Sequence, residues 1–267
     1  MGIDVGGNIL SSSGFDSSGN IVNSPSIVTD GLVLWIDAGN LASYNNTSNY
    51  YDCGYGCQYY ASDPGCTNCN TQLKDMSGYG YDGILVNGVA ITYTNIGGSI
   101  SFDGTNDYVS EYTIPDSFWN SGSWTVSAWC KFTSVNKGSD NAIVGHGYAA
   151  ASNGLHLSER GNYVYFGFYG NDLPGTIPLS ANVWYNIVYT FNYSSKLKQI
   201  YVNGTFDNSG GSVGYGGTGS NTEIGRYQWA QSHILYGNIG SIIFYNRVLT
   251  ATEILQNFNE GRQRFGI

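Results

Sequence analysis

The sequence predicts an all-β protein: two antiparallel sheets packed as a sandwich, with a short helix near the C-terminus. Three observations lead there. Only 11% of the 267 residues are charged, while Gly numbers 38, Tyr 23 and Trp 6, a composition suited to short strands joined by tight turns. Runs of alternating apolar residues recur along most of the chain, punctuated by Asp-Gly and Asn-Gly dipeptides. A capping-box signature, Thr250-Ala-Thr-Glu253, marks a helix start.

Residues 1–29 are rich in Gly, Ser and Asn and read as an extended arm, with Phe15 as a candidate anchor. The globular domain, residues 30–267, opens at Gly31-Leu-Val-Leu-Trp-Ile-Asp37, where both faces are partly apolar, as in a sandwich strand. A Cys/Tyr-rich insertion follows at about 44–74. Further strands are expected around 83–87, 99–103, 107–112, 124–132, 142–146, 154–158, 162–169, 183–192, 197–203, 221–226 and 236–246. Asp82-Gly83, Asn87-Gly88, Asp103-Gly104 and Asn203-Gly204 supply the turns between them. In the helix Ile254, Leu255 and Phe258 share a face, and Gly261 is the expected stop.

Five motifs stand in fixed order along this frame. They are Ser101-Phe-Asp-Gly-Thr-Asn-Asp-Tyr-Val109, Trp124-Thr-Val-Ser-Ala-Trp-Cys-Lys-Phe132, Trp184-Tyr-Asn-Ile-Val-Tyr-Thr-Phe191, Ile200-Tyr-Val-Asn-Gly204 and Gly240-Ser-Ile-Ile-Phe-Tyr-Asn-Arg-Val-Leu-Thr-Ala-Thr-Glu-Ile254. In this order they resemble the laminin-G-like branch of the concanavalin A-like jelly roll. The opening Gly31–Asn40 stretch and the C-terminal Tyr245–Phe258 and Arg264–Ile267 stretches are similar to such domains in tailed-bacteriophage virion proteins. The resemblance implies a jelly-roll sandwich that mostly binds its targets rather than transforming them.

Chemistry outside that frame is largely excluded. With 19 carboxylates against 10 Lys plus Arg, the chain lacks the clustered positive charge that nucleic acid or an anionic membrane surface requires. No segment reaches the ~18–20 apolar residues of a membrane span. The first ten residues have neither the basic nor the apolar region of a secretory signal, and Gly6 stands where a myristoylation motif needs Ser or Thr. Gly214-x-Gly216-x-x-Gly219 and Gly78-x-Gly80-x-x-Gly83 fit a dinucleotide fingerprint in form only, since neither opens a helix after a strand. Gly210-Gly-Ser212-Val-Gly214 lacks the strand–turn–helix setting of a nucleophile elbow. Laminarinase-type relatives carry closely spaced carboxylates on one strand, to bring nucleophile and acid ~5.5 Å apart. Here Glu111, Glu159, Glu223, Glu253 and Glu260 each lack a second acidic residue within two positions. No catalytic residues are assigned, and the chain is expected not to be an enzyme.

Binding chemistry has four candidates. Tyr215, Asn221, Tyr227 and Trp229 lie in one loop region and offer sugar-stacking rings with polar neighbours; the alternative is packing against adjacent loops. His146, in Val144-Gly-His-Gly-Tyr148, is a candidate loop contact. Asp103, Asn106 and Asp107 flank one turn and could supply oxygens to calcium, or simply build the turn. The resemblance also implies an acidic residue before the Tyr-Asn-Arg strand, where this chain has Gly240-Ser241. Cys53, Cys57, Cys66 and Cys69 read first as disulfides, second as a zinc site and third as free thiols. Cys130 alternates with Val126, Ala128 and Phe132 and reads as a buried free thiol.

The function expected is that of a non-enzymatic bacteriophage virion surface protein: a capsid decoration, fibre or tail-associated subunit. It would assemble in the host cytoplasm as a homo-oligomer, with residues 1–29 as the anchor and other virion proteins and host glycans as partners. The alternative is a secreted carbohydrate-binding module or bacterial adhesin.

Overall fold

The computed structural model describes residues 27–40, 72–94, 97–111, 114–219 and 221–267, together with three short hairpins outside those ranges. The hairpins pair Gly2–Ile3 with Ile9–Leu10, Gly14–Phe15 with Ile21–Val22, and Tyr50–Asp52 with Gln58–Tyr60. The cluster Cys53, Cys57, Cys66 and Cys69 lies outside the described residues.

Eighteen strands and two helices follow. They are β1 (Leu32–Asp37), β2 (Gln72–Leu73), β3 (Gly83–Val86), β4 (Ala90–Thr94), β5 (Gly97–Asp103), β6 (Tyr108–Glu111), α1 (Asp116–Asn120), β7 (Trp124–Phe132), β8 (Asn141–His146), β9 (Leu155–Arg160), β10 (Tyr163–Phe168), β11 (Asn171–Pro174), β12 (Trp184–Asn192), β13 (Leu197–Val202), β14 (Thr205–Gly211), β15 (Thr222–Ile224), β16 (Arg226–Tyr227), β17 (Ala230–Ile234), β18 (Tyr236–Tyr245) and α2 (Ala251–Gly261). The first sheet runs β4-β5-β18-β7-β12-β13-β14, with β1 also on β18; the second runs β11-β10-β9-β8-β15-β6-β3-β2. Neighbours in both sheets are antiparallel. This is the expected two-sheet sandwich with a C-terminal helix.

Alternation decides what lies between the sheets. From the first sheet come Trp124, Val126, Ala128, Cys130, Phe132, Ile187, Tyr189, Phe191, Ile200 and Val202; from the second come Leu155, Leu157, Val164, Phe166 and Phe168. Cys130 is a buried free thiol, and burial raises its pKa. Trp124 sits among Trp119, Phe166 and Phe191 at ring separations of 5.2–5.7 Å. Truncating so large a buried ring costs about 3–5 kcal/mol. Trp184, on a long strand of the same sheet, is only half-buried. It joins Trp129, Phe258 and Phe265 on the outer face of the first sheet.

That outer face is covered by α2. Thr250 and Glu253 form the capping box, and Ile254 packs with Val188, Tyr201, Ile243 and Tyr245. Gly261 ends the helical span but does not act as its stop, because Arg262 continues in right-handed geometry. A β-carbon on Gly261 would lie 2.6 Å from the Trp129 indole nitrogen, so the glycine permits close packing. Val28 is held against this face: its amide donates to Asn257 Oδ1 (2.8 Å) and its carbonyl accepts from the Tyr245 hydroxyl (3.0 Å).

Asn203-Gly204, which joins the paired strands β13 and β14, has positive φ at both positions, as a two-residue hairpin demands; Asn87-Gly88 has the same backbone signs but leads from β3 in the second sheet to β4 in the first. Asp82-Gly83 does not make such a turn; Gly83 begins β3, and Asp82 accepts the Asp75 amide instead.

Candidate functional site

The outer face of the second sheet carries the side chains that alternate away from the core. On β9 these are His156, Ser158 and Arg160, opposite buried Leu155, Leu157 and Glu159. Arg160 donates Nε and Nη2 to Asp140 and Nη1 to Asp172, each at 2.8 Å. His156 Nε2 lies 2.8 Å from the other Asp172 oxygen. The His156 contact, working against burial and joined by Arg160, brings Asp172 down to about 2. Burial opposes ionisation of Asp140, but the Arg160 hydrogen bonds outweigh it and hold that carboxyl well below the usual range. Both carboxylates are therefore ionised and fully engaged at neutral pH.

The β16–β17 hairpin lies over this network. Tyr227 is buried, reaches Asp140 through its hydroxyl (3.1 Å), and stacks between Trp229 (5.3 Å) and His233 (5.5 Å). Trp229 is only partly buried. Its ring also meets Tyr169 edge-on, with centroids 5.4 Å apart. Tyr169 follows β10, Tyr148 follows β8, and both are more than 40% exposed, which leaves two ring faces for a ligand. Backbone bonds fix these loops: the Tyr169 amide donates to Gly154 (2.9 Å), the Gly216 amide to Ser152 (3.0 Å), and the Tyr148 hydroxyl to Gly219. The buried Trp229 Nε1 and Gln228 Oε1 lack hydrogen-bond partners. An aromatic rim suits a ligand that has C–H faces to stack.

The residues expected from the sequence fall into separate groups. Tyr227 and Trp229 come together in the stack above. His146 and Tyr215 come together elsewhere, both buried, with His146 Nδ1 2.8 Å from the phenol oxygen. His146 Nε2 lies 3.0 Å from Asp116 Oδ1, and the other Asp116 oxygen accepts the Gly219 amide at 2.7 Å. Burial outweighs the Asp116 contact and lowers the pKa of His146, and the Tyr215 hydroxyl also donates to the His146 carbonyl oxygen at 3.0 Å. The pair clamps the 212–219 loop against β8. Asn221 is half-buried just before β15.

Asp103, Asn106 and Asp107 share one turn. Asp103 Oδ1 accepts the Thr105 amide (2.7 Å), Asp107 Oδ2 accepts the Asp103 amide (3.0 Å), and Asn87 donates to the Asn106 carbonyl (2.9 Å). Burial raises the pKa of Asp107, the Asp103 amide partly offsetting it, and Asp107 Oδ1 has no hydrogen-bond partner. Each carboxylate thus commits one oxygen to building the turn. Among the described residues no cluster of three His, Cys, Asp or Glu could hold a metal. The sequence reading missed Tyr148 and Tyr169 as rim residues; the signal was an aromatic at the end of each of two strands on one sheet.

No curated protein matches the sequence. Solved structures do share the fold. The binding domain of Paraclostridial Mosquitocidal Protein 1 aligns with a TM-score of 0.60 at 16% identity, over 86% of this chain and 52% of that one. Trypanosoma rangeli sialidase in complex with sialic acid aligns at 0.58 and 16%, over 93% and 36%. Domain 4 of AbnA, a GH43 extracellular arabinanase from Geobacillus stearothermophilus, in complex with arabinotriose, aligns at 0.53 and 15%, over 69% and 91%. The chain thus spans about half the length of the toxin binding domain and about a third of the sialidase. A family model of laminin G type, for the concanavalin A-like lectin/glucanases superfamily, matches residues 103–255; that is more than half of the chain, which therefore belongs to this superfamily.

Proposed function

We propose that the chain is a non-catalytic, lectin-like domain that binds carbohydrate on the Tyr148–Tyr169–Trp229 rim. The observation that carries this reading is Trp229: a partly exposed indole that stacks on Tyr227 and meets the exposed ring of Tyr169 edge-on. A sugar stacked there would cover the exposed ring faces with its C–H face. The arabinotriose complex of AbnA domain 4 and the toxin binding domain support a binding role for the fold.

The carboxylates support the absence of catalysis. A glycosidase needs a protonated acid beside a second carboxylate. Asp140 and Asp172 are bound to Arg160 in ionised form. Glu159 and Glu223 are buried, and Glu253 belongs to the helix cap. A glycan array covering arabino-, gluco-, galacto- and sialo-oligosaccharides tests the reading. Selective binding without hydrolysis is expected; no binding, or turnover of a bound glycan, would overturn it.

We further propose that the binding face is displayed on a bacteriophage particle, with residues 1–29 as the anchor and host glycans as the target. The motif resemblance in Gly31–Asn40 and Tyr245–Phe258 supports this setting. Antibody labelling of purified virions carrying the gene should decorate the particle surface, and unlabelled particles would rule it out.

A further inference from the structure

Lys198 is placed where alternation demands an apolar residue. It shares the inward face of β13 with Ile200 and Val202 and is 1% exposed. Its ammonium lies over the rings of Phe166 (5.4 Å) and Phe168 (5.2 Å). Across the gap, Asn171 shares the inward face of β11 with Leu173, while Asp172 points outward to His156 and Arg160. Lys198 Nζ stands 2.9 Å from Asn171 Oδ1 and 2.7 Å from the Asn171 carbonyl oxygen. With a C=O bond of ~1.2 Å, Nζ is within about 4 Å of the Asn171 side-chain carbon. That approaches the ~3–3.5 Å of a near-attack arrangement. The Ser212 hydroxyl, which also reaches the Val213 carbonyl, lies 3.0 Å from the same Oδ1.

We propose that Lys198 and Asn171 form an intramolecular isopeptide bond that ties the two sheets together. The neutral Nζ attacks Asn171 Cγ, forming a C–N bond and placing negative charge on Oδ1. Ser212 turns its hydroxyl to that oxygen and stabilises the charge. The tetrahedral carbon collapses, the Cγ–Nδ2 bond breaks, and one Nζ proton passes to the leaving nitrogen, which departs as ammonia. Reactants and products balance as amine plus primary amide giving secondary amide plus ammonia, with no oxidant or reductant. Burial, partly countered by Asp172, brings Lys198 down to about 8, so roughly a tenth of the molecules carry a neutral amine at pH 7.

The bond would sit where the open edges of the sandwich meet. There Asn208 of β14 already donates to the Pro174 carbonyl of β11 (2.8 Å). Its formation is independent of any glycan binding.

The intact mass of the reduced, denatured full chain is the test. The protein is expected to be one ammonia lighter than its sequence mass, with a branched tryptic peptide joining Lys198 to Asn171. Lys198→Arg and Asn171→Leu should each return to the mass of their own sequence. An unmodified mass with unlinked peptides, after prolonged incubation of the folded protein, would overturn the proposal. So would an ammonia loss that persists in Lys198→Arg, because the loss would then come from another amide.

Discussion

Gly154 passes directly beneath the indole of Trp229: a β-carbon there would lie 3.1 Å from Cε2, and 2.8 Å from the Tyr148 carbonyl oxygen. The backbone at Gly154 does not have positive φ, so the close approach, rather than chain conformation, requires a glycine. Strand β9, the Tyr148 loop and the β16–β17 hairpin are thereby held in one arrangement.

Gly154→Ala should therefore disturb the rim more than the fold. Overpacking of this kind costs about 1–3 kcal/mol. Chemical denaturation is expected to show a loss in that range with an unchanged transition slope. Oligosaccharide binding should weaken in parallel as Trp229 is lifted from its place.

Acid should loosen the loop held by His146. Its native pKa is lowered from 6.5, chiefly by burial. Between that lowered value and 6.5 the unfolded chain binds more protons than the native one, so stability rises with pH across this window and falls on acidification. Denaturation midpoints measured from pH 7 downward should decline below about 6.5. His146→Gln, which does not titrate, should reduce that slope while lowering stability at pH 7.

The Val28 junction gives a stability prediction without a binding effect. Asn257 is 5% exposed, accepts the Val28 amide and donates to the Tyr245 hydroxyl at 2.9 Å. Asn257→Ala leaves two buried groups short of partners and should cost about 1–3 kcal/mol. Thermal unfolding would register the loss, and glycan affinity should not change, since Asn257 lies on the outer face of the other sheet.

Much of the fold was legible because the long strands announce themselves. Trp124–Phe132 and Trp184–Asn192 alternate clearly and match the expected spans at nearly every residue. Strand β14, Thr205–Gly211, has no such pattern; it is an edge strand whose place comes from pairing with β13. The candidate site was half legible. Tyr227 and Trp229 fall in one sequence window, whereas Tyr148 and Tyr169 reach the same rim from other hairpins. The Arg160 network was hidden for a similar reason: Asp140, Arg160 and Asp172 are joined by sheet register, which charge spacing along the chain does not reveal.

Trp229 is the ring on which a glycan is proposed to stack. Paired calorimetric titrations of wild type and Trp229→Ala test it most directly, using the oligosaccharide that binds wild type most strongly on the array. A loss of at least tenfold, about 1.4 kcal/mol, is expected, with the circular dichroism of the folded protein retained. Equal affinity in the two proteins would contradict it.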